Sequence, residues 1–165
     1  MDVCRADLCC LFPVSQAAAG GLTPYHVFRG TGRSMKIRIG ILPTYRVRYS
    51  DWDRELLQRA LRAMGEIPGL HAVRLPDAES FPDHAEGMSG GCVQSLADAE
   101  KAVRFFGREA IDGLLVLPLD FGDERSVAKV EAALHVPVLL FATKEPAAVD
   151  RPRQSDSYCG TLAIS

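Results

Sequence analysis

The sequence predicts an α/β domain with an open, mostly parallel sheet and helices on both faces. Three observations predict it: apolar runs with the length of buried strands, amphipathic helical patterns that alternate with these runs, and polar connections that contain Gly or Pro. Strands that alternate with helices lie parallel and are joined by right-handed crossovers. A chain of 165 residues is long enough for one such domain.

The first strand and helix follow Met35. Residues 36–42 alternate apolar and polar side chains and end at Pro43, which indicates a strand that Pro43 closes. Asp51 is a suitable helix cap. The apolar residues after it recur at helical spacing and form one face of a helix: Trp52, Leu56, Leu57, Ala60, Leu61 and Met64.

A second strand and a long loop precede the second helix. Residues 70–75 are consistent with a strand, and residues 76–94 are rich in Asp, Gly, Ser and Pro, which indicates a loop. Ser95 and Asp98 have the spacing of a capping box, so a helix is expected to begin between them. Its apolar positions are Leu96, Ala99, Val103 and Phe106.

Two more strands and one helix complete the pattern. Residues 112–118 are almost wholly apolar, as a parallel strand covered on both faces should be. Asp123 and Glu124 suit the positive end of a helix that runs to Leu134, and residues 136–141 form a fourth strand. The resulting order, β-α-β-loop-α-β-α-β, is that of a Rossmann-like or flavodoxin-like sheet.

The domain is expected to span residues 35–165. Residues 1–34 show no sustained strand or helix period and are predicted to be a disordered or non-native extension. A secretory signal is an alternative, but Asp2 and Asp7 lie where such a signal needs positive charge. A metal site is another alternative, but no C-x2-C pair occurs among its candidate ligands Cys4, Cys9, Cys10 and His26.

The C-terminus predicts that the domain is incomplete. Asp156 and Ser157 are good helix caps, and residues 158–164 begin an apolar element that ends without a C-cap. An unpaired apolar stretch has to be buried or becomes an aggregation hazard. We therefore expect the chain to be truncated at its C-terminus and to be part of a longer protein.

Composition excludes several classes of partner. The net charge is −2 and the sequence pI is about 6.1, so neither nucleic acid nor an anionic membrane is expected to bind. The longest apolar runs, such as residues 136–142, are far shorter than the roughly 18 residues that a membrane-spanning helix needs. Only Cys92 and Cys159 lie in the domain, too few for a disulfide framework, which favours the cytoplasm.

Motifs for local chemistry are largely absent from the sequence. It contains no G-x-G-x-x-G after the first strand, no G-x-x-x-x-G-K-[ST] and no G-x-S-x-G. The Gly-rich residues 87–91 could present amides to an anion, but because the motif has no nearby Lys, a flexible loop is the preferred interpretation. The four histidines, which show no paired spacing, are His26, His71, His84 and His135. We expect neither a metal site nor catalytic residues within this chain.

Ligands of an open α/β sheet bind beyond the carboxyl ends of its strands. Three loops, residues 43–49, 120–124 and 143–146, are expected at that edge. Charged side chains can hydrogen-bond a polyol, and an aromatic ring can pack on sugar C–H groups. The candidate substrate-binding residues are Tyr45, Arg46, Asp120, Phe121 and Lys144.

A structural role is the alternative for each of these candidates. Tyr45 would then pack on the sheet, and Lys144 would pair with Glu145 in solvent. Asp123 and Glu124, in the same loop as Phe121, would serve only the helix dipole.

Three stretches, residues 113–124, 136–146 and 156–162, resemble the N-terminal part of the L-fucose/L-arabinose isomerase family. The resemblance extends over residues 35–165. It implies carbohydrate metabolism: a sugar ketol isomerase of several hundred residues, in which this α/β domain precedes the catalytic region. It also implies a homo-oligomer in which the loops at Tyr45 and Phe121 face the sugar or a neighbouring subunit.

The resemblance implies a metal cofactor as well. In such isomerases a divalent cation, commonly manganese, is bound by Glu, Asp or Glu, and His, and assists proton transfer between two sugar carbons. Those ligands belong to positions beyond Ser165, so none is assigned to this chain. The chain is therefore expected to be an N-terminal fragment of an isomerase, inactive by itself. The alternative is a stand-alone flavodoxin-like module that binds or senses a small ligand.

Overall fold

A computed structural model of the protein describes residues 11–13, 36–46, 51–142 and 157–165. Within them lie five strands, numbered in chain order: β1 (Leu11–Pro13), β2 (Ile37–Thr44), β3 (Leu70–Arg74), β4 (Gly113–Pro118) and β5 (Val138–Phe141). They form one sheet in the order β1-β5-β4-β2-β3. Strands β2 to β5 pair in parallel, and β1 pairs antiparallel with β5. The prediction of an open, mostly parallel sheet is confirmed.

Helices cover both faces of this sheet. They are α1 (Asp51–Gly65), α2 (Leu96–Glu109), α3 (Glu124–Leu134) and α4 (Ser157–Ile164). Helix α1 packs on one face, while α2 and α3 pack together on the other. Helix α4 contacts α3 and β4. The predicted helices on both faces are therefore confirmed.

The strands contribute alternate side chains to two cores, because successive strand residues point to opposite faces. On β2, Ile41 lies in the core under α1 and Leu42 in the core under α2 and α3. On β4, Leu115 likewise lies in the core under α1, and Val116 lies in the core under α2 and α3. Burial on both faces explains why β4 is apolar throughout.

The predicted capping box begins α2. Ser95 Oγ accepts a hydrogen bond from the Asp98 N–H at 3.2 Å, and the Asp98 carboxylate accepts one from Ser95 Oγ at 2.8 Å. The pair satisfies a helix N–H that has no partner inside the helix. It also fixes the point at which the chain enters the helix.

Strand β2 continues past the residue at which the sequence predicts its end. Pro43 cannot donate a hydrogen bond, but its carbonyl accepts one from the Val93 N–H at 2.8 Å, and Thr44 pairs with Val93. Val93 lies beside β2 because β3 ends at Arg74 and leaves that side of β2 unpaired. The segment predicted as a loop, residues 76–94, thus returns to the sheet, after a short 3-10 turn at Ser89–Gly91.

Little of the predicted extension lies within the described residues. Leu11–Pro13 forms β1, and the other residues of 1–34 lie outside them, including the candidate metal ligands Cys4, Cys9, Cys10 and His26. Among the helices in the described part of the chain, none is long and apolar enough to cross a membrane.

The 76–94 segment is anchored to α2 by a buried carboxylate, Glu86. Arg108 binds both of its oxygens, with Nη1 at 3.0 Å from Oε1 and Nη2 at 2.7 Å from Oε2. Arg104 Nε lies 3.8 Å from Oε1, and His84 Nδ1 lies 3.4 Å from Oε2. The hydrogen bond from Arg108 is the main reason that the pKa of Glu86 is lowered. A bidentate Arg–carboxylate pair is stronger and more directional than an ordinary ion pair.

We predict that Glu86 makes the stability of the domain sensitive to acid. Because its pKa is lowered in the folded state, its stabilisation is fully present above the ordinary carboxyl pKa and is lost as the pH falls through the lowered value. Glu86→Gln should therefore lower the melting temperature at pH 7, and its difference from wild type should shrink in acid. Melting temperatures measured between pH 7 and pH 3 test this.

Glu79→Gln is the matched control, because Glu79 is an exposed carboxylate in the same segment. It should follow the wild-type curve. A Glu86→Gln protein whose melting temperature parallels that of wild type at every pH would contradict the prediction.

Candidate functional site

The candidate site lies at the carboxyl ends of β2 and β4. After β2 the chain adds β3 on one side, and it then crosses back to add β4 on the other side. The helices that follow β2 and β4, α1 and α3, lie on opposite faces of the sheet, and we call the surface between the two strand ends the crevice. In open α/β sheets, ligands bind at this point of reversal.

Hydrogen bonds hold the two strand ends together. The Leu119 N–H donates to Thr44 O at 2.9 Å. Asp120 Oδ1 then accepts two backbone N–H groups, from Arg46 at 2.8 Å and from Gly122 at 3.0 Å. The Asp120 carboxylate thus has a fixed orientation at the edge of the sheet.

The Arg46 side chain makes two contacts with the loop after β4 and one with the first residue of α3. Its guanidinium lies 4.3 Å from the centre of the Phe121 ring, in the geometry of a cation–π contact. Its Nε donates to Gly122 O at 3.1 Å, and its Nη2 donates to Glu124 Oε2 at 3.0 Å. Three of the five sequence candidates, Arg46, Asp120 and Phe121, are therefore brought together.

Gln94 also belongs to this cluster, and the sequence analysis missed it. Its side-chain Nε2 donates to Arg46 O at 3.0 Å, and its backbone N–H donates to Asp98 Oδ2 at 3.3 Å. Its position directly before the capping box was the one signal available. Glu124 lies in the predicted edge loop 120–124, but its pairing with Arg46 spans 78 positions and no local pattern indicates it.

Tyr45 lies apart from this cluster. Its side chain is 4% exposed and packs in the core under α1, with Leu57 and Cys92 among its neighbours. Burial raises the pKa of Tyr45, and a hydrogen bond with Ser89 opposes the shift in part. The Tyr45 ring therefore packs in the core beneath α1. Direct contact of Tyr45 with a substrate stays a prediction. Lys144, the fifth candidate, lies outside the described residues.

Helix α4 packs against the back of the loop after β4. Ser157 Oγ donates to Pro118 O at 2.5 Å. Gly160 lies so close that a Cβ placed there would be 2.6 Å from Asp120 O and would also overlap Phe121 O. The first turn of α4 thereby fixes the backbone that carries Asp120 and Phe121.

The described residues do not fit a metal ion. Within ranges 36–46, 51–142 and 157–165, no three His, Cys, Asp or Glu side chains are grouped as ligands. No step of a mechanism is assigned to a metal in this part of the chain.

A comparison with known protein families identifies the family of this chain. The family model described as "Fucose/sulfoquinovose isomerase, N-terminal domain" matches residues 72–165, more than half of the chain. The chain belongs to this family. Searches of curated proteins and of solved structures gave no match.

The residues that match this isomerase N-terminal domain family include part of the candidate site. They include Gln94, Asp120, Phe121 and all of α4, whereas Arg46 on the β2 side precedes them. The resemblance to the N-terminal part of the fucose isomerases is therefore confirmed. The arabinose part of that resemblance stays a prediction.

Proposed function

We propose that this chain is the N-terminal domain of an enzyme that interconverts an aldose and its ketose, and that the crevice between β2 and β4 contacts the sugar. One observation carries the proposal: the point where the strand order reverses brings Arg46, Asp120 and Phe121 together. Membership of the isomerase family supports the reaction class.

The side chains of the crevice suit a polyol. Among the described residues, the hydrogen bonds to the Asp120 carboxylate go to Oδ1, so Oδ2 is the oxygen that can accept a sugar hydroxyl. The Gln94 amide donates to Arg46 O in the same cluster, and the half-buried Phe121 ring is an apolar surface that can pack on sugar C–H groups. A few oriented polar groups next to an aromatic ring are typical of sites for small ligands.

The proposal assigns the chemical step to other parts of the enzyme. The divalent cation that the resemblance implies would be bound there, and the full-length enzyme would assemble as a homo-oligomer. The purified 165-residue chain should therefore not convert L-fucose to its ketose when Mn2+ is supplied. Formation of ketose by the chain alone would contradict this part of the proposal.

Sugar binding by the chain is the direct test of the site. We expect added L-fucose to shift the backbone NMR signals of Arg46, Gln94, Asp120 and Phe121. Asp120→Asn should weaken binding about tenfold, because it replaces a hydrogen bond to a charged group, about 1.5–3 kcal/mol, with a neutral one of about 0.5–1.5 kcal/mol.

Asp112→Asn is the matched control for this test. Asp112 Oδ2 accepts the backbone N–H of Arg38 at 2.7 Å, as Asp120 does that of Arg46, but it lies at the opposite end of β4. Its substitution should leave sugar binding unchanged. Equal losses in the two variants, or no shifts at the crevice, would refute the proposed site.

A further inference from the structure

The cation of the candidate site is already paired. Arg46 Nη2 lies 3.0 Å from Glu124 Oε2, and each side chain is 45% exposed. The stack on Phe121 and the hydrogen bond to Gly122 O hold the guanidinium in the position that Glu124 contacts. A ligand that reaches Arg46 from solvent therefore meets Glu124 at the same place.

A second carboxylate lies on the other side of Arg46. Asp120 accepts the Arg46 backbone N–H at 2.8 Å, so the residue has one carboxylate at its main chain and another at its guanidinium. An anion at this position would meet one positive charge and two negative charges. Like charges in close contact oppose binding strongly and thereby set specificity.

The family description names two sugars that differ in charge, fucose, which is neutral, and sulfoquinovose, which carries a sulfonate. Resting on the function proposed above, we infer that Glu124 sets the charge selectivity of the crevice. By neutralising Arg46, it makes the crevice accept an uncharged sugar and reject a sulfonated one. Glu124 is thus a specificity-determining residue at the first turn of α3.

Inorganic sulfate is the probe for this inference, because it is an anion that presents the S–O oxygens of a sulfonate without the sugar. In an NMR titration of the full chain, the Arg46 signals of Glu124→Gln should shift at sulfate concentrations that leave the wild-type Arg46 signals unchanged. We expect the variant to bind sulfate about fivefold more tightly, since one repulsion is removed and the guanidinium is released at a site that solvent partly screens. The double substitution Arg46→Gln with Glu124→Gln should abolish the gain.

Glu100→Gln is the matched control. Glu100 pairs with Lys129 at 2.5 Å on the exposed surface between α2 and α3, so this variant also releases a cation from a surface ion pair. It should not change the response of Arg46 to sulfate. Glu124→Ala is the second variant, with the same expectation as Glu124→Gln, and melting temperatures confirm that each protein is folded.

Two results would overturn the inference: sulfate binding at Arg46 of wild type as tight as in Glu124→Gln, or no gain in either Glu124 variant. Both are independent of the sugar. A parallel titration with L-fucose tests the proposed function by itself. Failure to bind fucose together with a sulfate gain in Glu124→Gln would refute the sugar site and leave the charge effect standing.

Discussion

Replacement of Phe106 by Ala is expected to lower the free energy of unfolding by about 3–5 kcal/mol, the usual cost of removing a buried aromatic ring. Phe106 is fully buried in α2 and packs on β2. A Cβ at Gly40 would lie 3.0 Å from the Phe106 ring and 2.6 Å from Ile111 Cδ1, so the ring fills the space that the glycine leaves. Closely packed surroundings of this kind collapse little around a cavity.

Urea denaturation followed by circular dichroism measures this cost. Phe81→Ala is the control, because that ring is 60% exposed, and its effect should lie within about 0.5 kcal/mol. A cost below about 1 kcal/mol for Phe106→Ala would show that α2 does not pack on the sheet as described.

Gly160→Ala is expected to destabilise the domain by about 1–3 kcal/mol, as overpacking does. Helix propensity alone predicts the opposite sign, because Ala is favoured over Gly inside a helix by about 1 kcal/mol. Here the new methyl group would overlap the carbonyl oxygens of Asp120 and Phe121, which are backbone atoms and cannot turn aside. Helix α4 would have to move away from the loop that carries the candidate site.

Gly107→Ala is the matched control, since Gly107 lies in α2 with no atom near the added Cβ. It should stabilise the domain by about 0.5–1 kcal/mol. The two substitutions are chemically identical, so opposite signs isolate the effect of the close approach. The NMR signals of Asp120 and Phe121 should shift in Gly160→Ala and not in Gly107→Ala. Changes of the same sign in both variants would contradict the packing of α4.

Most of the elements could be predicted from the sequence because their signals are local. The apolar face of α1, the capping box at Ser95 and the wholly apolar β4 each depend on residues close together in the chain. The sequence pattern ends the first strand at Leu42, two residues before β2 ends at Thr44. Its last residues are held by Val93, about 50 positions away, and no local pattern reports such a partner.

The candidate site could be predicted only in part. The carboxyl-edge rule selects the loops after β2 and β4, and Arg46, Asp120 and Phe121 do meet there, whereas residues 143–146 lie outside the described residues. The rule does not say which way a side chain points. Tyr45 and Arg46 are adjacent in the sequence, yet the first lies in the core and the second at the surface. Gln94 joins the cluster through a hydrogen bond to the main-chain oxygen of Arg46. A glutamine side chain does not by itself indicate such a partner.

By itself, the sequence determined the α/β class, the alternation of strands and helices, and the resemblance to the isomerase family. These properties follow from periodicity, capping and short motifs, all of which act over a few residues. The tertiary structure alone decided the strand order β5-β4-β2-β3, which makes the ends of β2 and β4 neighbours. It also decided the pairing of Arg46 with Glu124, because a contact across 78 positions depends on how the whole chain packs.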